Sequence, residues 1–221
     1  MTENQQKIDT ILFDFDGTLM DTNEVILASW QHAFVTLTGK ECEVEKILDT
    51  FGEPLMYSIE MLMPDYDPEE VLSIYRDYQL AHYEEMIELF PGVEEMLTTL
   101  HASGYKMAIV TNRLRPTTDT GMKKYGLDKL FGSVVACNEA AKNKPFAEPL
   151  LLALEQLGST QESAILVGDS ANDILSGKNA NMRTVRVSWA VALDGSHDEE
   201  SVIPDYVIDT PEELVQLLEE I

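Results

Sequence analysis

ILFDFDGTLMDTN, residues 11–23, begins as a buried strand and then changes character. Three apolar residues lead into Asp14 and Asp16, separated by Phe15 and followed by Gly17 and Thr18. Residues i and i+2 of a strand share a face, so both carboxylates point the same way as the chain leaves the strand. Burying two unpaired carboxylates together is costly. The pair is therefore either a solvated turn or part of a site that compensates its charge.

Working outward, residues 8–14, KMAIV (106–110), SVVA (133–136), SAILV (163–167), TVRV (184–187) and YVI (206–208) read as short apolar strands, as in a parallel sheet. Helical patterns at 91–104, 116–126, 148–158 and 170–180, and a last one opened by the capping box Thr210-Pro211-Glu212-Glu213, separate them. The alternation predicts an α/β fold with a doubly wound, Rossmann-like parallel sheet. Residues 19–89 break it. They contain no convincing strand, and 24–39, 54–63 and 68–88 have amphipathic helical spacing. The expected organisation is a core domain of residues 1–18 plus 90–221 and a small helical cap domain, 19–89, inserted after the first strand.

Ligands of open parallel sheets bind beyond the carboxyl ends of the strands. Strand 106–110 ends in Thr111-Asn112, and strand 163–167 in Gly168-Asp169 with Asp173 following; the loop after 133–136 carries Lys144-Pro145. Carboxylates, a hydroxyl and an ammonium from four segments can thus meet in one crevice. Such a hard oxygen set suits Mg2+ shared with a phosphate group. The bland alternatives are a strand-ending turn at Thr111-Asn112 and helix capping by Asp169 and Asp173. Asp21 and Thr22 read as caps of the first inserted helix, and His32, His82, His101 and His197 show no ligand spacing.

Composition narrows the partners. Fifteen Lys and Arg face forty Asp and Glu in 221 residues, a net charge of −25. That argues against nucleic acid and against an anionic membrane surface. Eight of the fifteen basic residues lie between residues 106 and 144, Arg113 and Arg115 among them, enough to offset repulsion of a small anion locally. No run has the length of a membrane span, MTENQQKID lacks a signal-peptide core, and Cys42 and Cys137 lack metal-ligand spacing. A reduced, cytoplasmic setting is expected.

With these residues in view the chain resembles the haloacid dehalogenase superfamily. The motifs are Asp14-Phe15-Asp16-Gly17-Thr18, Thr111, Lys144-Pro145 and Gly168-Asp169-Ser170-Ala171-Asn172-Asp173, in order along the chain. Within it, the resemblance is to the phosphoglycolate phosphatase-like group and, more narrowly, to its pyrophosphatase branch. The resemblance implies a phosphatase in which Asp14 is the nucleophile, forming an aspartyl-phosphate, and Asp16 the acid/base. It implies Mg2+ held by Asp14, the backbone carbonyl of Asp16, and Asp169. Asp173 would orient metal-bound water or pair with Lys144. Thr111, the backbone of Asn112, and Lys144 would bind the phosphoryl group. The loop departs from the family's K-P-x-P by reading Lys144-Pro145-Phe146-Ala147-Glu148-Pro149, which leaves Lys142 as a competitor for the lysine role. The implied substrate is a small anionic phosphate compound, phosphoglycolate or pyrophosphate. A phosphomutase on the same scaffold and a non-catalytic phospho-acceptor are the alternatives; a dehalogenase would lack Asp16.

Overall fold

The computed structural model describes residues 7–51, 53–190 and 202–221. Strand β1 (Thr10–Phe13) is buried throughout, as its unbroken apolar run requires. The chain then forms β2 (Met20–Asp21), helices α1 (Asn23–Thr38), α2 (Val44–Leu48), α3 (Leu55–Leu62) and α4 (Pro68–Met86), and β3 (Glu88–Leu89). Helix and strand alternate from there as far as β7, and β8 and a last helix complete the described elements: α5 (Val93–Ala102), β4 (Lys106–Val110), α6 (Arg115–Lys124), β5 (Ser133–Val135), α7 (Glu148–Leu157), β6 (Ala164–Gly168), α8 (Ala171–Asn179), β7 (Arg183–Val187), β8 (Tyr206–Ile208) and α9 (Pro211–Glu220).

Six strands make one sheet in the order β5-β4-β1-β6-β7-β8, every pairing parallel. The expected α/β fold is present. β1 lies in its middle: the chain moves outward through β4 and β5 on one side, then crosses to β6, β7 and β8 on the other. That reversal opens a crevice at the carboxyl ends of β4, β1 and β6. Alternation along β1 divides the core. Ile11 and Phe13 join Ile109, Val167 and residues of α5 and α9 on one face; Leu12 joins Val110, Leu166 and residues of α7 on the other.

Between β2 and β3 the helices enclose an apolar cluster of their own, built on Trp30, Ile47, Ile59, Met63, Val71 and Tyr75. The Trp30 and Tyr75 rings lie 5.0 Å apart at its centre. Asp67 caps α4, accepting from Glu69 N at 3.1 Å, with Pro68 in the first turn.

Three details differ from the sequence reading. Residues 19–89 do contain strand: β2 and β3 pair antiparallel, Met20 with Leu89 and Asp21 with Glu88, in a ribbon at the two crossing points of the chain. Two residues per strand are too few to leave a periodic pattern. The short α2 was absent from the reading for the same reason. At the last helix Thr210 does accept from Glu213 N, but the Glu213 carboxylate accepts from Asp209 N at 2.8 Å, so the capping box is only half formed. His197 lies outside the described residues.

Candidate active site

Asp14 leaves β1 buried, its N–H donating to Val167 O on β6 at 2.9 Å. Asp169 leaves β6 buried beside it, and Asp173 follows in the first turn of α8 with no exposure at all. One carboxylate oxygen from each of these three falls within 4.8 Å of the others. Lys144 reaches into the group from the loop after β5. Its ammonium donates to Asp14 Oδ1 at 2.5 Å and to Asp173 Oδ1 at 2.6 Å. Lys142 stays outside, paired with Glu148 at 3.4 Å and lying over the Phe146 ring. The lysine whose proline follows it is the one that enters the crevice.

The loops that bring these groups together are specified locally. Gly17 has φ +76°, which glycine adopts without strain, and a Cβ there would collide with the Asp169 carboxylate. Thr18 donates to Asp169 Oδ1 at 3.4 Å, and its carbonyl accepts from Trp189 Nε1 at 3.0 Å. Ser170, not Asp169 or Asp173, is the N-cap of α8. Its hydroxyl accepts from Asp173 N, and Asp173 Oδ2 accepts from both the N–H and the hydroxyl of Ser170. Both Asp173 oxygens are therefore engaged, and this residue holds Lys144 and its own helix start. Asn112 acts through its side chain: Nδ2 donates to Lys144 O at 3.2 Å and Oδ1 accepts from Lys144 N at 3.0 Å. These two hydrogen bonds, to the backbone N–H and C=O of one residue, fix the root of the lysine. Thr111, buried at the end of β4, accepts from Arg113 N at 3.1 Å and makes no hydrogen bond to the carboxylates among the described residues.

Asp16 stands apart from the three-carboxylate group and is partly exposed. Its oxygens lie 2.8 and 2.7 Å from Arg113 Nε, and Oδ1 also accepts from the Thr22 hydroxyl at 3.0 Å. Thr22 was expected to cap α1; its side chain makes no cap bond there and serves Asp16 instead, while Asp21 Oδ1 accepts from Asn23 N at 3.0 Å. Arg115, read with Arg113 as a local positive patch, is drawn to Glu139 and Asp119. The sequence reading placed Arg113 only in a local positive segment, with no partner, and assigned no site role to Thr22, Ser170 or Trp189. For Arg113 a signal existed, a cation two residues past the hydroxyl that ends a central strand. For Ser170 one existed too, the Ser-x-x-Asp spacing of a capping box; for Thr22 and Trp189 none did.

Burial sets the electrostatics. It pushes the Asp14 carboxyl up to about 7, Asp173 and Asp16 adding to the rise and Lys144 opposing it. Burial likewise lifts Asp169 well above the usual carboxylate range, reinforced by Asp14 and Asp173. Burial alone would lower the Lys144 ammonium, but Asp14 and Asp173 outweigh it and hold it above the ordinary lysine value. Three carboxylates against one ammonium leave a net charge that a divalent cation would balance. All the donors are oxygens, and Asp14 and Asp169 keep the less-engaged ones, so the residues fit a hard cation such as Mg2+.

Comparison with known proteins agrees with this architecture. Residues 11–187 match the model of the haloacid dehalogenase-like hydrolase family. The pyrophosphatase PpaX of Halalkalibacterium halodurans is 38% identical over 96% of this chain and 97% of its own. The pyrophosphatase PpaX of Bacillus cereus strain AH820 is 36% identical over the same shares. Among solved structures, a haloacid dehalogenase-like family hydrolase from Streptococcus pneumoniae superposes with a TM-score of 0.85 at 26% identity, covering 95% of this chain and 98% of that one. A predicted phosphoglycolate phosphatase from Haemophilus somnus gives 0.81 at 21% identity, covering 95% and 97%, which speaks for the fold alone.

Proposed function

The chain belongs to the haloacid dehalogenase-like hydrolases, and from that premise we propose that it is a Mg2+-dependent phosphohydrolase acting on a small anionic phosphate through an aspartyl-phosphate. The observation that carries the reading is the buried Asp14–Asp169–Asp173 group with Lys144 at its centre. Pyrophosphate is the leading substrate, because the relatives 36–38% identical over nearly the whole chain carry the name pyrophosphatase; phosphoglycolate is the second.

Asp14 and Asp169, with the backbone carbonyl of Asp16, would hold Mg2+, which supplies charge neutralisation at the phosphate oxygens. An Asp14 oxygen attacks phosphorus as the bond to the leaving oxygen breaks, and Asp16 gives that oxygen a proton. A water then attacks the aspartyl-phosphate, passes its proton back to Asp16, and releases phosphate with Asp14 restored. Lys144 and Thr111 bind the transferred group, with Asn112 fixing the Lys144 peptide and Asp173 holding its ammonium. Helices α1–α4, residues 19–89, act as the lid that keeps water out until the intermediate has formed. A cytoplasmic setting is consistent with the free Cys42 and Cys137.

Phosphate release with Mg2+, measured on pyrophosphate and phosphoglycolate side by side, tests the reading. Asp14→Asn should abolish release from both, and Asp16→Asn should slow it by about 10²–10⁴-fold. Near-normal turnover by Asp14→Asn would refute the mechanism. Transfer of phosphate to a sugar phosphate without net release would favour a mutase instead.

A further inference from the structure

Arg113 has more hydrogen-bond donors than its known partners use. Its side chain is 7% exposed, and a guanidinium keeps its charge when buried. Nε is committed to Asp16, and the guanidinium carbon lies 4.8 Å from the centre of the Tyr83 ring. The donors on Nη1 and Nη2 have no acceptor among the described residues. Tyr83 repeats the pattern: its hydroxyl is buried and has no hydrogen-bond partner among the described residues. Burial raises the Tyr83 pKa, and the charges that modulate it are those of Arg113 and Asp16, so the hydroxyl lies in the same electrostatic neighbourhood. Tyr75, from the same helix, is different, because its hydroxyl accepts from Gln79 Nε2 at 3.1 Å.

Unpaired donors on two neighbouring side chains, the Tyr83 hydroxyl buried and the Arg113 nitrogens only slightly open to solvent, beside a carboxylate that is already paired, fit an anion. In the mechanism proposed above, Asp14 attacks the transferred phosphoryl group, Lys144 and Thr111 bind it, and Asp16 faces the leaving oxygen. The anion on the Asp16 side is then the remainder of the substrate. We propose that Arg113 and Tyr83 form a second anion subsite, between the sheet domain and α4, which holds a negatively charged leaving group and selects substrates that have one. The inference rests on the phosphohydrolase reading.

As the phosphorus–oxygen bond breaks, its electron pair goes to the leaving oxygen. Nε can stay with Asp16 while Nη1, Nη2 and the Tyr83 hydroxyl take the charge that grows on the departing phosphate or lies on a carboxylate. An outgoing phosphate stabilised in this way depends less on protonation than an alkoxide does.

The test compares pyrophosphate with p-nitrophenyl phosphate, whose leaving group carries no ionised substituent. Values of kcat and KM are measured with Mg2+ for the wild type, Arg113→Met, Arg113→Lys and Tyr83→Phe. For Tyr83→Phe and Arg113→Met the ratio of kcat/KM on pyrophosphate to that on p-nitrophenyl phosphate should drop about tenfold or more, the worth of one hydrogen bond to a charged group. Arg113→Lys should fall between them and the wild type. Equal losses on both substrates would overturn the inference and reduce Arg113 to a support for Asp16. Tyr83→Phe deletes only a hydroxyl with no partner, so it keeps the test decisive if Arg113→Met does not fold. A wild type inactive on both substrates would bring down the phosphohydrolase reading itself.

Discussion

The two oxygens of Asp14 have different duties. Oδ1 accepts from Lys144 and Oδ2 has no hydrogen-bond partner among the described residues; in the proposed mechanism one oxygen would face the cation while the other attacks. Before any cation binds, burial with Asp173 close by holds the carboxyl near 7 instead of the usual 3.8. Between those values the folded protein keeps a proton on Asp14 that the unfolded chain has released. The unfolded state thus binds fewer protons there, and this residue's contribution to stability falls as pH rises through that window. The expected outcome is that Asp14→Asn gains in melting temperature over the wild type as pH goes from 4 to 7 in chelator, and that the gain shrinks when Mg2+ is added. A gap between the two proteins that does not change with pH would contradict it.

At the scale of elements, the site depends on where β1, β4 and β6 stop and on how α8 starts. Gly168 ends β6 against the Asp173 side chain, where a Cβ would collide with it. Ser170 then turns the chain into α8 and holds Asp173, which in turn holds Lys144 from a loop 29 residues away. One N-cap therefore supports both the helix and the ammonium. Ser170→Ala should cost about 1 kcal/mol of stability in denaturant unfolding. It should also lower kcat on the preferred substrate, because Asp173 Oδ2 loses its hydroxyl partner while the backbone bond remains. Loss of stability with kcat intact would mean that the Lys144 pairing alone positions Asp173.

The whole molecule works against its proposed substrate at long range. A chain with a net charge of −25 repels a phosphate anion, and the cations that meet it, Lys144 and Arg113, are buried and already paired with carboxylates. Salt screens surface charges over about 10 Å at 0.1 M and affects buried pairs much less. At fixed Mg2+, kcat/KM for pyrophosphate should therefore rise as KCl goes from about 10 to about 200 mM. A steep fall would show instead that a positive surface field steers the substrate in.

The fold was legible in the chain because strand alternation and helix periodicity are local. KMAIV, SAILV and ILF announce buried parallel strands, and the residues that end them announce a crevice. Asp14, Asp169 and Asp173 were legible for the same reason, since each follows closely on a strand end, whereas Lys144 lies in the long loop after β5 and the sequence left Lys142 beside it as a competitor. The ribbon of Met20–Asp21 with Glu88–Leu89 was not, because a pairing of two residues exists only once 66 intervening residues have folded back. Nor was the fate of individual polar groups. Thr22 serves Asp16 and not its helix, Asn112 grips the Lys144 peptide, and Arg113 reaches Asp16 from 97 residues away. Those choices are made among donors and acceptors that compete only when the tertiary structure has buried them together, where each unpaired group is costly and the nearest partner wins.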